Sequence, residues 1–230
     1  MRVSVVVPAY NEEKMLGHCL MALKRQTVPC EIIVCDNNST DSTVKIARRY
    51  ADKVVNEKMQ GASHAINRGL KMSRGELVAV TGADCVVPEH WLESFVSRFS
   101  DPDVISCYGP VHPIGGKHAS YYRMRNTAER LCLRFGLWFV ILGANCMHRK
   151  DILEKVGYYD SEIELFEENG YVKKTRGLGR IEYVPDNGIL TSTRREDSVG
   201  GISIAKLALR EMFKLTFFNR TDTEGFRPVR

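Results

Sequence analysis

The 230 residues include 43% hydrophobic and 27% charged side chains, ordinary values for a soluble chain long enough to bury a core. A formal charge of +5 is mildly basic. It suits anionic small molecules or an anionic membrane surface and, with no Lys/Arg-dense run interleaved with aromatics, argues against nucleic acid. Seven cysteines (Cys19, Cys30, Cys35, Cys85, Cys107, Cys132, Cys146) are odd in number and have no Cys-x-x-Cys pair, so reduced thiols are expected in place of a disulfide frame or zinc knuckle. Met1-Arg2 leads directly into a strand pattern, which argues against a signal peptide. The longest nearly uninterrupted apolar run, Leu137 to Ala144, is far below the ~20 residues needed to span a bilayer. A cytoplasmic protein is expected, soluble or peripheral at the inner face of the cell membrane.

Val3 to Val7 forms an apolar strand pattern closed by Pro8. Asn11 is then expected to cap a helix in which Met15, Leu16, Cys19, Leu20 and Leu23 recur at helical spacing. Ile32 to Cys35 is the next strand. It ends in Asp36-Asn37-Asn38-Ser39-Thr40-Asp41, whose last acid is placed to cap the helix through Val44, Ile46 and Ala47. Val54-Val55 is a short strand, Gly61 opens a helix to about Met72, and Glu76 to Thr81 is a fourth strand. It runs into Gly82-Ala83-Asp84, after which Trp91, Phe95 and Phe99 share one helical face. Such alternation predicts a doubly wound, mostly parallel sheet with functional loops at the carboxyl ends of its strands. Pro8–Asn11, Asp36–Asp41 and Gly82–Asp84 all fall there.

Beyond Pro110 the pattern loosens. A helix is predicted over 119–135, an apolar stretch from Trp138 ends in Gly143-Ala144-Asn145, and a helix over 149–156 precedes Gly157. The acids Glu162, Glu164, Glu167 and Glu168 follow, then a strand from Ile181 to Val184. Ile202 to Phe218 is helical in pattern, with Lys206, Arg210 and Lys214 on one stripe beside a wide apolar surface. It suits either an anionic membrane or packing on the core or a second subunit. One domain over 1–230 is expected: a nucleotide-binding half (1–110), a second half (111–193) and an amphipathic tail (194–230).

No Gly-x-Gly-x-x-Gly or Gly-x4-Gly-Lys-Ser/Thr loop follows any strand, which disfavours NAD binding and P-loop chemistry. The remaining design for a diphosphate uses carboxylates and a divalent ion. Asp36 and Asp84, at the ends of two strands, fit it. His112 and His148 are further candidate metal ligands, although a lone histidine is more often structural. Arg194-Arg195 could neutralise a diphosphate or an acceptor phosphate. Equally, they could form a solvated turn paired with Glu196-Asp197.

Val5-Val6-Val7-Pro8-Ala9-Tyr10-Asn11-Glu12-Glu13, Val34-Cys35-Asp36 through Asp41, Gly61 through Gly69, Thr81-Gly82-Ala83-Asp84, Gly143-Ala144-Asn145 and Glu167-Glu168 before Gly179 resemble glycosyltransferase family 2 over roughly residues 3–186. The resemblance implies a GT-A, Rossmann-like fold with an acceptor-side C-terminal subregion, a UDP- or GDP-sugar donor, and Mn²⁺ or Mg²⁺ as cofactor. Transfer would invert the anomeric carbon, to a saccharide, lipid-linked or protein acceptor. It places Pro8, Ala9, Tyr10 and Glu12 at the base and ribose, Asp36 at the base, and Asn67 and Ala83 at the donor, where on their own chemistry Arg194 and Arg195 would also bind. Asp84 would ligate the metal, and Glu168, paired with Glu167, would be the catalytic base. Gly82 stands where the first acid of the family's Asp-x-Asp motif sits, and Ile66 where many members carry Arg. A homodimer and peripheral membrane association remain options. A silent nucleotide-sugar or glycan-binding module is the alternative reading, and a nucleotidyltransferase on a related fold is disfavoured.

Overall fold

The computed structural model of the chain describes residues 1–135, 143–161, 168–200 and 210. The first half alternates as expected: β1 (Val3–Ala9), α1 (Leu16–Lys24), β2 (Cys30–Asp36), α2 (Thr43–Tyr50), β3 (Lys53–Asn56), α3 (Ala62–Met72) and β4 (Leu77–Thr81). Then come β5 (Cys85–Val86), α4 (Trp91–Val96), β6 (Val104–Tyr108), β7 (Val111–Pro113), α5 (Ala119–Arg134), β8 (Asn145–Arg149), α6 (Lys150–Val156), α7 (Glu168–Lys174), β9 (Arg180–Tyr183), β10 (Ile189–Thr191) and α8 (Arg194–Val199).

Seven strands form the main sheet in the order β3-β2-β1-β4-β8-β6-β9. Only β8 runs against its neighbours: β4–β8 and β6–β8 are antiparallel and the other pairs parallel. The fold is thus α/β and mostly parallel. Strand residues alternate between two cores because successive side chains point to opposite faces. Val5, Val7, Ile32, Val34 and Ala79 pack with Leu16, Leu20, Trp91 and Phe95 on one face. Val6, Ile33, Val78 and Val80 pack with Ala65, Ile66 and Leu70 on the other. Ile66, at the position where many family members carry Arg, is therefore a core side chain. A second, three-stranded sheet, β5-β10-β7, has strands too short for a periodicity to reveal.

Two local expectations are corrected. Val3–Val7 does not end at Pro8. β1 continues to Ala9, pairing Pro8 with Cys35 and Ala9 with Asp36. Its ladder to β4 stops at Val6, so the residue that lacks an N–H lies beyond the pairing on that side. Asn11 is not a helix cap either. α1 starts at Leu16 with no side-chain cap, and Asn11, at φ 53°, accepts the Thr40 amide at 2.8 Å while its own N–H donates to the Ser39 hydroxyl at 2.9 Å. Its amide binds the loop after β1 to the loop after β2, which fixes two of the three edge loops together. Asp41 does serve the first turn of α2, accepting from the Thr43 amide at 2.9 Å, and it also takes the Glu13 amide at 3.1 Å. Burial pushes the Asp41 carboxyl up, but these bonds and the Thr43 hydroxyl outweigh it and hold its pKa below the usual value.

The central junction is held by Asn145, which is fully buried. Its oxygen accepts the Trp91 indole N–H at 2.7 Å, and its amide donates to the Pro110 and Asn187 carbonyls at 2.9 and 2.8 Å. One side chain thereby ties β8 to α4, to the β6–β7 turn and to the β9–β10 turn. Asn145→Ala should cost about 2–4 kcal/mol, since three buried partners lose their hydrogen bonds together. Urea unfolding of the purified variant measures that loss.

Candidate active site

The expected edge loops meet at the carboxyl ends of β1, β2 and β4. Ala9 lies opposite Asp36 in the ladder, and the Asn37 N–H donates to the Ala9 carbonyl at 2.9 Å. Asp36 is buried (4% exposed), with the Ser39 amide at 3.3 Å and the Asn56 amide at 3.4 Å from its carboxylate. Asn37 donates to the Glu57 and Met59 carbonyls at 2.9 and 2.7 Å and accepts the Gly61 N–H at 2.8 Å, which shapes the loop leading into α3. Pro8 and Tyr10 are half-buried beside this cluster, and Ala9 belongs to the core.

Gly82–Asp84 forms a tight turn after β4. The Gly82 carbonyl accepts the Cys85 N–H at 3.1 Å and the Cys19 thiol at 3.4 Å, so α1 holds the turn from below. Ala83 is buried in it. The Asp84 carboxylate occupies the space over Gly82, where an added Cβ would stand 2.9 Å from its Oδ1. An acid at 82 would have to share that space. The Asp84 carbonyl accepts the Ser192 N–H at 3.2 Å, which brings α8 to the site. There the Arg194 guanidinium pairs with Glu12 at 2.5 Å and reaches 3.7 Å from Asp84. The solvated-turn alternative for Arg194 is therefore not what forms. Asp197 instead binds Lys117 and His118, and its pKa is lowered to about 2 chiefly by the Lys117 and His118 hydrogen bonds.

Glu168 is the first residue of α7 and is 3% exposed. Its carboxylate lies against Gly143, in the volume that any side chain there would fill. Gly82 faces Ala144, with 4.0 Å between an added Cβ and the Ala144 methyl. The Asp84 turn and the Glu168 carboxylate thus flank the same pair of small residues, Gly143 and Ala144. Glu167 lies outside the described residues, as do Glu162, Glu164 and the predicted tail helix over 202–218 apart from Arg210.

Two further expectations change. His148 is fully buried, with Ser106 at 2.9 Å from Nδ1 and the Tyr159 hydroxyl at 2.7 Å from Nε2. Burial pushes its pKa down to about 3. Both nitrogens are engaged inside a ring of Tyr108, Tyr159 and Tyr171, so it is a structural residue, not a metal ligand. Asn67 gives its amide to the Tyr159 backbone, donating at 2.9 Å and accepting at 3.0 Å, and so fastens α3 to the loop after α6. Among the described residues no cluster of three or more His, Cys, Asp or Glu could hold a metal ion. All seven cysteines are free, and burial holds thiols such as Cys30 protonated, with its pKa raised to about 11.

The family model for glycosyl transferase family 2 matches residues 4–157. The chain belongs to glycosyltransferase family 2. Glycosyltransferase AglE of Haloferax volcanii is 32% identical over 173 residues, covering 70% of this chain and 57% of AglE. The chain thus spans little more than half the length of that relative. The Staphylococcus aureus 4,4'-diaponeurosporenoate glycosyltransferase is 36% identical over 88 residues, covering 36% of this chain and 24% of the relative. Among solved structures, S. aureus TarS 1-349 in complex with UDP-GlcNAc superposes with a TM-score of 0.70 at 21% identity, covering 84% of this chain and 59% of that one. Mannosyltransferase PcManGT of Pyrobaculum calidifontis in complex with GDP-Man and Mn²⁺ gives 0.68 at 24% identity, covering 89% and 64%. These likenesses establish the GT-A fold.

Within this family 2 domain one carboxylate carried no signal in the sequence beyond its place on the inner face of α5. Glu129 is fully buried, and among the described residues neither of its oxygens has a hydrogen-bond partner. Its charge acts on Tyr108 and Cys146, which also feel Glu168. Burial raises its pKa from 4.5 to about 8, against a smaller opposing pull from Arg125. A carboxyl raised in the folded state contributes stability that is complete below the unfolded value and is lost as pH rises through the folded one. Wild-type stability should therefore fall between about pH 4.5 and about pH 8, by an amount on the order of a few kcal/mol. In Glu129→Gln that slope should flatten, as urea unfolding across this pH range will measure.

Proposed function

We propose that this domain transfers a sugar, with inversion, from a UDP- or GDP-linked donor to an acceptor hydroxyl in glycan, glycolipid or glycoprotein biosynthesis. The observation that carries this reading is the placement of Glu168, buried against Gly143, whose neighbour Ala144 faces Gly82 of the Asp84 turn. Donor and base chemistry then share one sheet edge. Asp36, Pro8, Ala9 and Tyr10 surround the nucleoside, and Arg194 supplies a cation for the diphosphate. The Glu168 carboxylate takes the proton of the acceptor hydroxyl as that oxygen attacks the anomeric carbon, and the nucleoside diphosphate leaves from the opposite face. The solved relatives bind UDP-GlcNAc in one case and GDP-Man in another, which supports a nucleotide-sugar donor and leaves both bases in play.

A divalent ion fits the site in one way. Asp84 is a single, partly exposed carboxylate next to Gly82, so it would hold the ion as the protein's ligand, leaving the remaining positions to oxygens from elsewhere, as Mg²⁺ and Mn²⁺ commonly require. Such an ion would neutralise charge on the leaving group. Asn67 acts in this reading by positioning α3. A second reading, a module that binds donor without turnover, is favoured by Gly82, which leaves the ion a single acid.

The test follows nucleoside diphosphate release and donor binding with a panel of UDP- and GDP-sugars, Mn²⁺ and varied acceptors. Glu168→Gln should lower release by roughly 10²-fold or more while donor affinity stays within about twofold. Asp84→Asn should weaken metal-dependent donor binding at least tenfold, and unchanged binding would remove Asp84 as the ligand. Saturable binding with no release from any donor would favour the silent module.

Gly143→Ala places a methyl group in the volume that the Glu168 carboxylate occupies. It should lower kcat at least tenfold at unchanged donor affinity, a split that steady-state kinetics with donor titration will show.

A further inference from the structure

α5 has two faces of opposite character. Tyr122, Asn126 and Glu129 are buried, with Asn126 bonded to the backbone of Val111 at 2.9 and 3.2 Å, so the helix is fixed on β7. At 100° per residue, Met124, Leu131 and Phe135 fall within roughly 40° of one another on the side opposite the buried residues, and Arg123, Arg130 and Arg134 fall within roughly 40° on the adjoining flank, roughly 90° from the buried face. All six are exposed, the apolar three at 58%, 46% and 68%. Among the described residues the three arginines make no ion pair. The only acid of the helix, Glu129, is turned inward. The outer face thus presents three cations, no anion and three large apolar side chains in parallel rows.

We propose that this outer face of α5 docks on an anionic phospholipid bilayer, with Arg123, Arg130 and Arg134 at the headgroup phosphates and Met124, Leu131 and Phe135 in the acyl boundary. A helix with a basic row beside a bulky apolar row is the arrangement that lies in a membrane interface. Exposed arginines near an anionic leaflet each add to the attraction. Among the described residues no helix is long and apolar enough to cross a membrane, so the attachment is peripheral for this part of the chain. The inference goes beyond sugar transfer and does not depend on it. It also differs from a membrane role of the tail at 202–218, because it rests on another element. Its consequence for the site is spatial: the inner face of the same helix carries Glu129, which lies within electrostatic reach of Tyr108 and Cys146, as Glu168 does.

The experiment is co-sedimentation of the full chain with vesicles of pure phosphatidylcholine and of equimolar phosphatidylcholine and phosphatidylglycerol, at low and high salt. Binding is expected on the anionic vesicles and should weaken with salt. It should fall at least tenfold in Arg123→Gln/Arg130→Gln/Arg134→Gln and again in Leu131→Ser/Phe135→Ser. The Arg→Lys triple variant, which keeps the charge, should retain it, and Lys206→Gln/Arg210→Gln/Lys214→Gln in the tail should change it less than twofold. Unfolding midpoints confirm that each variant is folded. The proposal is overturned if the wild type does not bind anionic vesicles, if it binds neutral ones equally, or if only the tail variant loses binding. It is also overturned if the wild type self-associates without lipid and Leu131→Ser/Phe135→Ser dissociates it, since that face would then belong to a second copy of the chain.

Discussion

The antiparallel pairing of β8 with β4, with Thr81 opposite Asn145, is the contact on which the candidate site depends. In a parallel sheet the carboxyl ends of the strands share one edge and the amino ends the other. A reversed strand is the means by which the start of one strand reaches the edge where others finish. Because β8 runs backwards, Gly143 and Ala144 arrive beside Gly82, and the carboxylate of Glu168 can lie against them. Asn145 fixes this register from inside, since its amide is shared among Trp91, Pro110 and Asn187. A one-residue slip would turn that amide to the other face of the sheet and leave all three partners unsatisfied.

The same edge gathers Glu12, Asp36, Asp84 and Glu168, a concentration of acids that a protein must offset locally. Asp36 is served by backbone and side-chain amides. Glu12 is served by Arg194, which also approaches Asp84. α8 is in turn anchored at both ends of its reach, by Ser192 to the Asp84 turn and by Asp197 to Lys117 and His118 at the start of α5. The cation of the site therefore sits on a short helix that also contacts the start of α5.

The strand–helix alternation is legible because β1, β2 and β4 are built on the apolar runs Val5–Val7, Ile32–Cys35 and Leu77–Val80, buried on both faces. Trp91, Phe95 and Phe99 showed α4 and the turn after it for the same reason, and the convergence of the edge loops followed from the alternation. The errors share a cause. Asn11 has the composition of a cap, but its partners are Ser39 and Thr40, twenty-eight or more residues away, and local preference cannot see them. His148 looked available as a ligand because nothing in the sequence places Ser106 and Tyr159 on its two nitrogens. Gly143 reads in the sequence only as the end of an apolar stretch and as part of a resemblance. Its physical role, an empty volume for Glu168, exists only once α7 is folded back on β8. The small sheet β5-β10-β7 has strands of two or three residues, below the length at which a period can be read.

α5 makes the same point about charge. In sequence it is an arginine-rich helix with one glutamate, and a helical glutamate with arginines nearby ordinarily lies on the surface in i,i+4 pairs. Here Arg125, four residues before Glu129, is turned toward the Tyr122 ring at 4.5 Å, and Glu129 is inside with no hydrogen-bond partner among the described residues. Separating the acid from Arg123, Arg130 and Arg134 costs stability, because a buried carboxyl must remain protonated to be tolerated. Nothing in the packing of Tyr122 and Asn126 against β7 requires an ionisable residue at 129. An apolar side chain would fill such a position at lower cost. With the one acid of the helix turned inward, its exposed ionisable side chains are cations alone, next to a row of apolar side chains.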